Sequence, residues 1–139
     1  MEKIIFNGDH FVTRDGAEVD LQLRGDDIVL RQCKIVVRDG SDFDLGALAD
    51  TFILRHSEIV VKHGDLDMTI GAENVIMRGN SITANHGTID IVAMDENFVF
   101  AHNEVLSANH STVLIVNYSL GGDLLGQYDA SSGDLQPIG

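Results

Sequence analysis

The sequence predicts an all-β fold: a single-stranded right-handed parallel β-helix of about five coils, each of 23–24 residues with three short strands. Three observations carry that prediction. First, one pattern recurs: the stretches beginning at Ile4 (IIFNGDHFVTRDG), Ile28 (IVLRQCKIVVRDG), Phe52 (FILRHSEIVVKHG), Val75 (VIMRGNSITANHG) and Phe98 (FVFAHNEVLSANH) start 24, 24, 23 and 23 residues apart. Second, apolar residues alternate with polar ones inside each period, as in a strand with one face turned inward. Third, Gly16, Gly40, Gly64 and Gly87 punctuate the same part of four successive periods, where the chain must bend.

Each element follows from the columns. The first strand is set by Ile4, Ile28, Phe52, Val75 and Phe98, and two residues on by Phe6, Leu30, Leu54, Met77 and Phe100. A tight corner comes next, with Asp9 or His10, then Cys33, Ser57, Asn80 and Asn103 turned inward. Buried polar side chains need hydrogen-bond partners, so Cys33, Ser57, Asn80 and Asn103 are expected to form a structural ladder. The second strand carries Phe11, Ile35, Ile59, Ile82 and Val105. After the glycine turn, the third strand carries Val19, Phe43, Leu66, Ile89 and Val113, then Leu21, Leu45, Met68, Ile91 and Ile115. Stacked coils pair equivalent strands at about 4.8 Å and fuse these columns into one core. The expected organisation is a β-helix over residues 1–119 and a glycine-rich capping or docking tail over 120–139.

Composition agrees. Apolar residues make up 44% of the chain, enough for a core, but aromatics only 6%, so Ile, Val and Leu must build it. Cys33 is alone, which excludes an internal disulfide and multi-cysteine zinc patterns. The first residues lack a basic flank and a long apolar run, so the chain is expected to be cytoplasmic when made, with no membrane span. A formal charge of −13 repels phosphate and argues against direct nucleic-acid or anionic-membrane binding.

Asn-Val-Ile-Met-Arg-Gly-Asn-Ser-Ile (74–82) and Asn-Phe-Val-Phe-Ala-His-Asn-Glu-Val (97–105) resemble coil repeats of the pectate-lyase-like right-handed parallel β-helix superfamily, and the resemblance covers roughly residues 4–118. It implies the architecture. Activity is left open, because that superfamily spans polysaccharide lyases, hydrolases, epimerases, phage tailspikes and adhesins.

Four outward features carry candidate chemistry. Asp20, Asp44, Asp67 and Asp90 recur once per coil and should align, giving a candidate calcium site or a solvated face that keeps sheets apart. Arg31, Arg55 and Arg78 line one corner; they are expected either to join a charge network with Glu58 and Glu104 or to receive a glycan carboxylate. Arg14, Arg38 and Lys62 line up near the glycine turn. Beside that turn, Asp15, Asp39, His63, His86 and His110 share a column, which reads either as a turn tolerant of left-handed backbone or as a ligand site centred on His63 and His86.

Every period is 23 or 24 residues long, which leaves no insertion to wall a cleft, and no nucleophile elbow, phosphate loop or zinc helix is present. No catalytic residue is assigned, and no cofactor is expected other than calcium on the aspartate column. The expected function is therefore a non-catalytic structural or binding module, in a homo-oligomer or protein assembly such as the spike, fibre or decoration of a phage-like particle. The bare first coil supports this reading. Two alternatives are kept: a carbohydrate-active or polysaccharide-binding β-helix, and an acidic inhibitor that mimics nucleic acid.

Overall fold

In the computed structural model, which describes residues 3–129 and 136–137, the described residues form strands linked by short turns, with no helix among them. In order these are β1 (Lys3–Asn7), β2 (His10–Thr13), β3 (Glu18–Arg24), β4 (Asp27–Arg31), β5 (Lys34–Arg38), β6 (Asp42–Arg55), β7 (Glu58–Lys62), β8 (Asp65–Arg78), β9 (Ser81–Asn85), β10 (Thr88–Asp95), β11 (Asn97–Ala101), β12 (Glu104–Ala108), β13 (Thr112–Ser119), β14 (Leu124–Asp129) and β15 (Gln136–Pro137). Stacked parallel coils build a β-solenoid of about five turns. The short strands β2, β5, β7, β9 and β12 pair in sequence as one sheet, and the remaining strands form the other.

The three inward stretches of each period are present, but they are not always separate strands. In the middle of the stack the third stretch of one coil runs without a break into the first stretch of the next, so β6 and β8 are each 14 residues long. Both long strands pair in register from Asp42↔Asp65 to Arg55↔Arg78, with one residue skipped between Ala49 and Thr51.

The columns become the core. Ile28, Phe52 and Val75 are buried, as are Leu30, Leu54 and Met77, Ile35, Ile59 and Ile82, and Leu66, Ile89 and Val113. Each fully buried side chain of this size contributes about 2 kcal/mol over its exposed state. Core quality falls off at the ends: Ile4, Phe6, Phe11, Leu21 and Leu23 in the first coil are only partly buried, with Phe6 and Phe11 packed edge to face at 5.3 Å.

The polar corner is held by bonds that climb from coil to coil. The Cys33 amide donates to Ser57 Oγ at 3.1 Å, the Ser57 amide to Asn80 Oδ1 at 3.0 Å, and the Asn80 amide to Asn103 Oδ1 at 2.9 Å. Each Asn also caps a strand end, Asn80 Nδ2 donating to the Leu54 carbonyl at 2.8 Å and Asn103 Nδ2 to that of Met77 at 3.0 Å. His10 pairs with Lys34, so Asp9 stands opposite Cys33 at the start of the column.

At the other corner the glycines do two different things. Asp15-Gly16-Ala17 and Asp39-Gly40-Ser41 are three-residue turns in which the Asp and Gly both take positive φ (58° and 72°; 59° and 73°). His63-Gly64 and His86-Gly87 are one residue shorter: only the histidine has positive φ, and the glycine aligns with Ser41, whose carbonyl accepts from Asp65 as that of Gly64 does from Thr88. A Cβ on Gly64 would lie 2.8 Å from the Ser41 carbonyl oxygen, and one on Gly87 2.6 Å from that of Gly64. These two glycines are needed for close stacking of coils, not for φ. Loss of one turn residue is also why the repeat changes from 24 to 23.

At the C-terminal end β14 reverses direction and pairs antiparallel with β13, with a register shift at Asn117/Tyr118, and β15 pairs antiparallel with β14. The remainder of the expected tail, residues 130–135 and 138–139, lies outside the described residues.

Candidate functional site

The outer surface is a grid: chain position sets the row and coil number sets the step along it. Asp20, Asp44, Asp67 and Asp90 fall on one row because β3, β6, β8 and β10 pair them directly; Leu114 ends it. Two residues upstream, Glu18, Asp42 and Asp65 form a second acidic row, followed by Thr88. Burial and crowding together shift the ionisation of these rows. The Asp67 carboxyl is pushed up from 3.8 to about 6 by desolvation, then by hydrogen bonding with Asp44 and by the charges of Asp90 and Asp44. Asp65 moves up as well, through desolvation and the neighbouring Asp42. Asp20 accepts a 2.6 Å hydrogen bond from Gln22 Nε2. Among the described residues, no group of three or more His, Cys, Asp and Glu side chains converges with metal-holding geometry.

The Arg31, Arg55 and Arg78 row is also in register. All three side chains are exposed, and none has an acidic partner among the described residues. The expected network with Glu58 does not form: Glu58 lies 4.0 Å from Lys34, the residue paired with it across β5 and β7. Near the glycine turn, Arg14 and Arg38 each pair with the aspartate that follows them, at 3.7 and 3.6 Å.

His63 and His86 stack with ring centroids 4.8 Å apart and planes within 4°. His110 is different. It follows Asn109 in a three-residue turn, takes the place that Gly16 and Gly40 hold in theirs, and so meets His86 at 6.3 Å with a 40° tilt. The left-handed φ of 57°, 51° and 63° at His63, His86 and His110 explains why turn-tolerant residues stand here. Between the imidazoles and the acids Asp42 and Asp65 runs a polar trough of about 300 Å³ floored by Gly40, Gly64 and Gly87.

Sequence reasoning missed the apolar outer rows. Ile5, Val29, Ile53, Ile76 and Val99 stack in register on the outside of the solenoid beside the arginine row, with Ile5 57% and Val99 41% exposed. Val12, Val36, Val60, Thr83 and Leu106 do the same on the other sheet. The signal was present in the sequence: where three apolar residues run together, as in Ile28-Val29-Leu30, period two turns the middle one outward. A shallow groove of about 280 Å³ lies beside the aspartate row, lined by Gly46, Leu48, Gly71 and Met94 among others. A further acid-lined hollow of about 400 Å³ is bounded by Glu18, Asp20, Asp42 and Asp44.

Two buried polar groups stand apart from these rows. Asp95 is fully buried, in the column of Ala49 and Ala72, and neither of its oxygens has a hydrogen-bond partner; burial raises its pKa. Asn117 Oδ1 is likewise unpartnered.

No protein-family model, no curated protein and no solved structure matches the chain.

Proposed function

We propose that this protein is a non-catalytic structural or binding module, a short acidic β-solenoid that works as a component of an oligomer or larger protein assembly. One observation carries the reading: the unbroken outer row of Ile5, Val29, Ile53, Ile76 and Val99 beside three unpaired arginines. Exposed sheet faces ordinarily carry charge that prevents association, and a continuous apolar stripe bounded by polar rows marks an interaction face. The likeness of residues 74–82 and 97–105 to pectate-lyase-like coils supports membership of that superfamily, and a spike, fibre or decoration of a phage-like particle is the setting that suits a small solenoid with interacting sides. Sedimentation over a wide concentration range tests this. The reading expects a mass above that of one chain that persists on dilution; a single-chain mass throughout would overturn it.

A second reading, a glycan-binding module, is favoured by the trough between His63, His86 and Asp65. Titration with a panel of acidic polysaccharides, with calcium and with a chelator, tests it. The reading fails if no member of the panel binds under either condition.

A further inference from the structure

We propose that the partner is a second copy of this chain, laid alongside with its axis parallel, so that the Arg31, Arg55 and Arg78 ladder of one copy sits on the Asp44, Asp67 and Asp90 ladder of the next. The proposal rests on the assembly reading above and names the partner and the surface.

Pitch is the first argument. Both ladders advance by one coil per residue, Arg31↔Arg55↔Arg78 and Asp44↔Asp67↔Asp90 being direct partners, so each is a straight row of charges about 4.8 Å apart. Rows of equal pitch match at every step. Only a partner with this repeat meets either ladder throughout, and the chain itself supplies both.

Charge is the second. The arginines are exposed and without counter-ions among the described residues, whereas Arg14, Lys34 and Arg38 each have an acidic partner. The aspartates face one another along their row, and the central one, Asp67, resists ionisation first through desolvation and then through Asp44 and Asp90. Docking gives each ladder the opposite charge it lacks, and guanidinium–carboxylate pairs out of bulk water are among the stronger polar contacts. The opposing term is the net charge of −13 on each copy. Salt screens that repulsion beyond about 8 Å but leaves contacts at hydrogen-bond distance largely intact.

Row order fixes the orientation. Two solenoids with parallel axes meet like two wheels turning the same way, so their facing strands run in opposite directions. With arginines over aspartates, the row two residues before the arginines (Val29, Ile53, Ile76) then lies over the row two residues after the aspartates (Gly46, Thr69, Val92). Apolar side chains therefore meet an uncharged strip, in which the Gln22 side chain lies across Gly46. With antiparallel axes the same Val and Ile row would fall on Asp42 and Asp65, an unfavourable contact.

Charge exchange tests this. One variant carries Arg31→Glu, Arg55→Glu and Arg78→Glu; the other carries Asp44→Lys, Asp67→Lys and Asp90→Lys. Each alone should sediment as a single chain with an unchanged circular dichroism spectrum, and an equal mixture should form a complex containing both in equal amounts. Retention of the wild-type mass by either variant, or a mixture that stays monomeric, would overturn the proposal. If the first of these occurs while the wild type remains oligomeric, the assembly reading survives and only this surface is wrong. If a charge-reversed chain does not fold, the neutral set (Arg→Gln and Asp→Asn at the same positions) replaces it, with at least a tenfold weaker association expected and unchanged association contradicting the proposal.

Discussion

Asp67 is the residue at which the repeat acts most directly on the protein's chemistry. Register places its carboxyl between those of Asp44 and Asp90, and desolvation with these neighbours raises it from 3.8 to about 6. A group whose folded pKa lies above its unfolded value favours the fold when protonated. That contribution is complete below the unfolded value and is lost as pH rises through the folded one. Asp65 and Asp95 shift in the same direction. The dissociated single chain, as obtained in the Arg31→Glu, Arg55→Glu, Arg78→Glu variant, is therefore expected to melt higher at about pH 5 than at about pH 7. In that dissociated background Asp67→Asn should raise the melting temperature at neutral pH and shrink the difference between the two; thermal melts at both pH values check this, and an undiminished difference would count against it. The column itself was legible because a fixed repeat forces alignment. The ionisation behaviour was not, since it depends on which side chains bend toward one another. Asp95 escaped notice for a different reason: inward alternation continues through the corner that joins two strands, so its column with Ala49 and Ala72 is visible only once that corner is known to be extended.

At the scale of the element, the glycine turns separate two physical causes that a sequence column merges. Gly16 has open space around its Cβ position and a φ of 72°, and in the equivalent turn His110 holds a φ of 63° with a full side chain. Gly87 has no such φ, but a Cβ there would come within 2.6 Å of the Gly64 carbonyl oxygen, which accepts from the Thr88 amide. Gly16→Asn should thus cost no more than about 1 kcal/mol, because Asn tolerates left-handed backbone. Gly87→Ala should cost about 2 kcal/mol or more, because two coils must separate to admit a methyl group. Urea unfolding of both variants checks the ranking, and equal costs would contradict it. Strand positions and inward faces were readable from period two. The merging of stretches into the 14-residue β6 and β8 was not, because nothing between Asp42 and Arg55 breaks the chain and the expected boundary rested on column spacing alone. The same spacing hid the shorter turns at His63 and His86, so His110 was grouped with histidines whose position it does not share.

At the scale of the whole molecule, each coil touches chiefly the coils on either side, so a row on the surface is built from like steps and keeps one character over several coils, as the Asp20, Asp44, Asp67, Asp90 row and the Ile5, Val29, Ile53, Ile76, Val99 row do. This makes the outer surface directional. Acidic rows lie on one side, unpaired arginines and β-branched residues on another, and the lysines and arginines all fall within the first 78 residues. Sequence reasoning identified the charged rows by their colour, so to speak, and passed over the apolar ones because three consecutive apolar residues look like core. Only register shows that Val29, Ile53 and Ile76 stand outside. The central claim is that this face is buried in an assembly. The most direct test is sedimentation equilibrium of the wild type beside an Ile53→Lys, Ile76→Lys variant, with circular dichroism to confirm the fold. The account predicts an oligomeric wild type and a folded variant of lower mass; a wild type that is already a single chain, or a folded variant of unchanged mass, would contradict it.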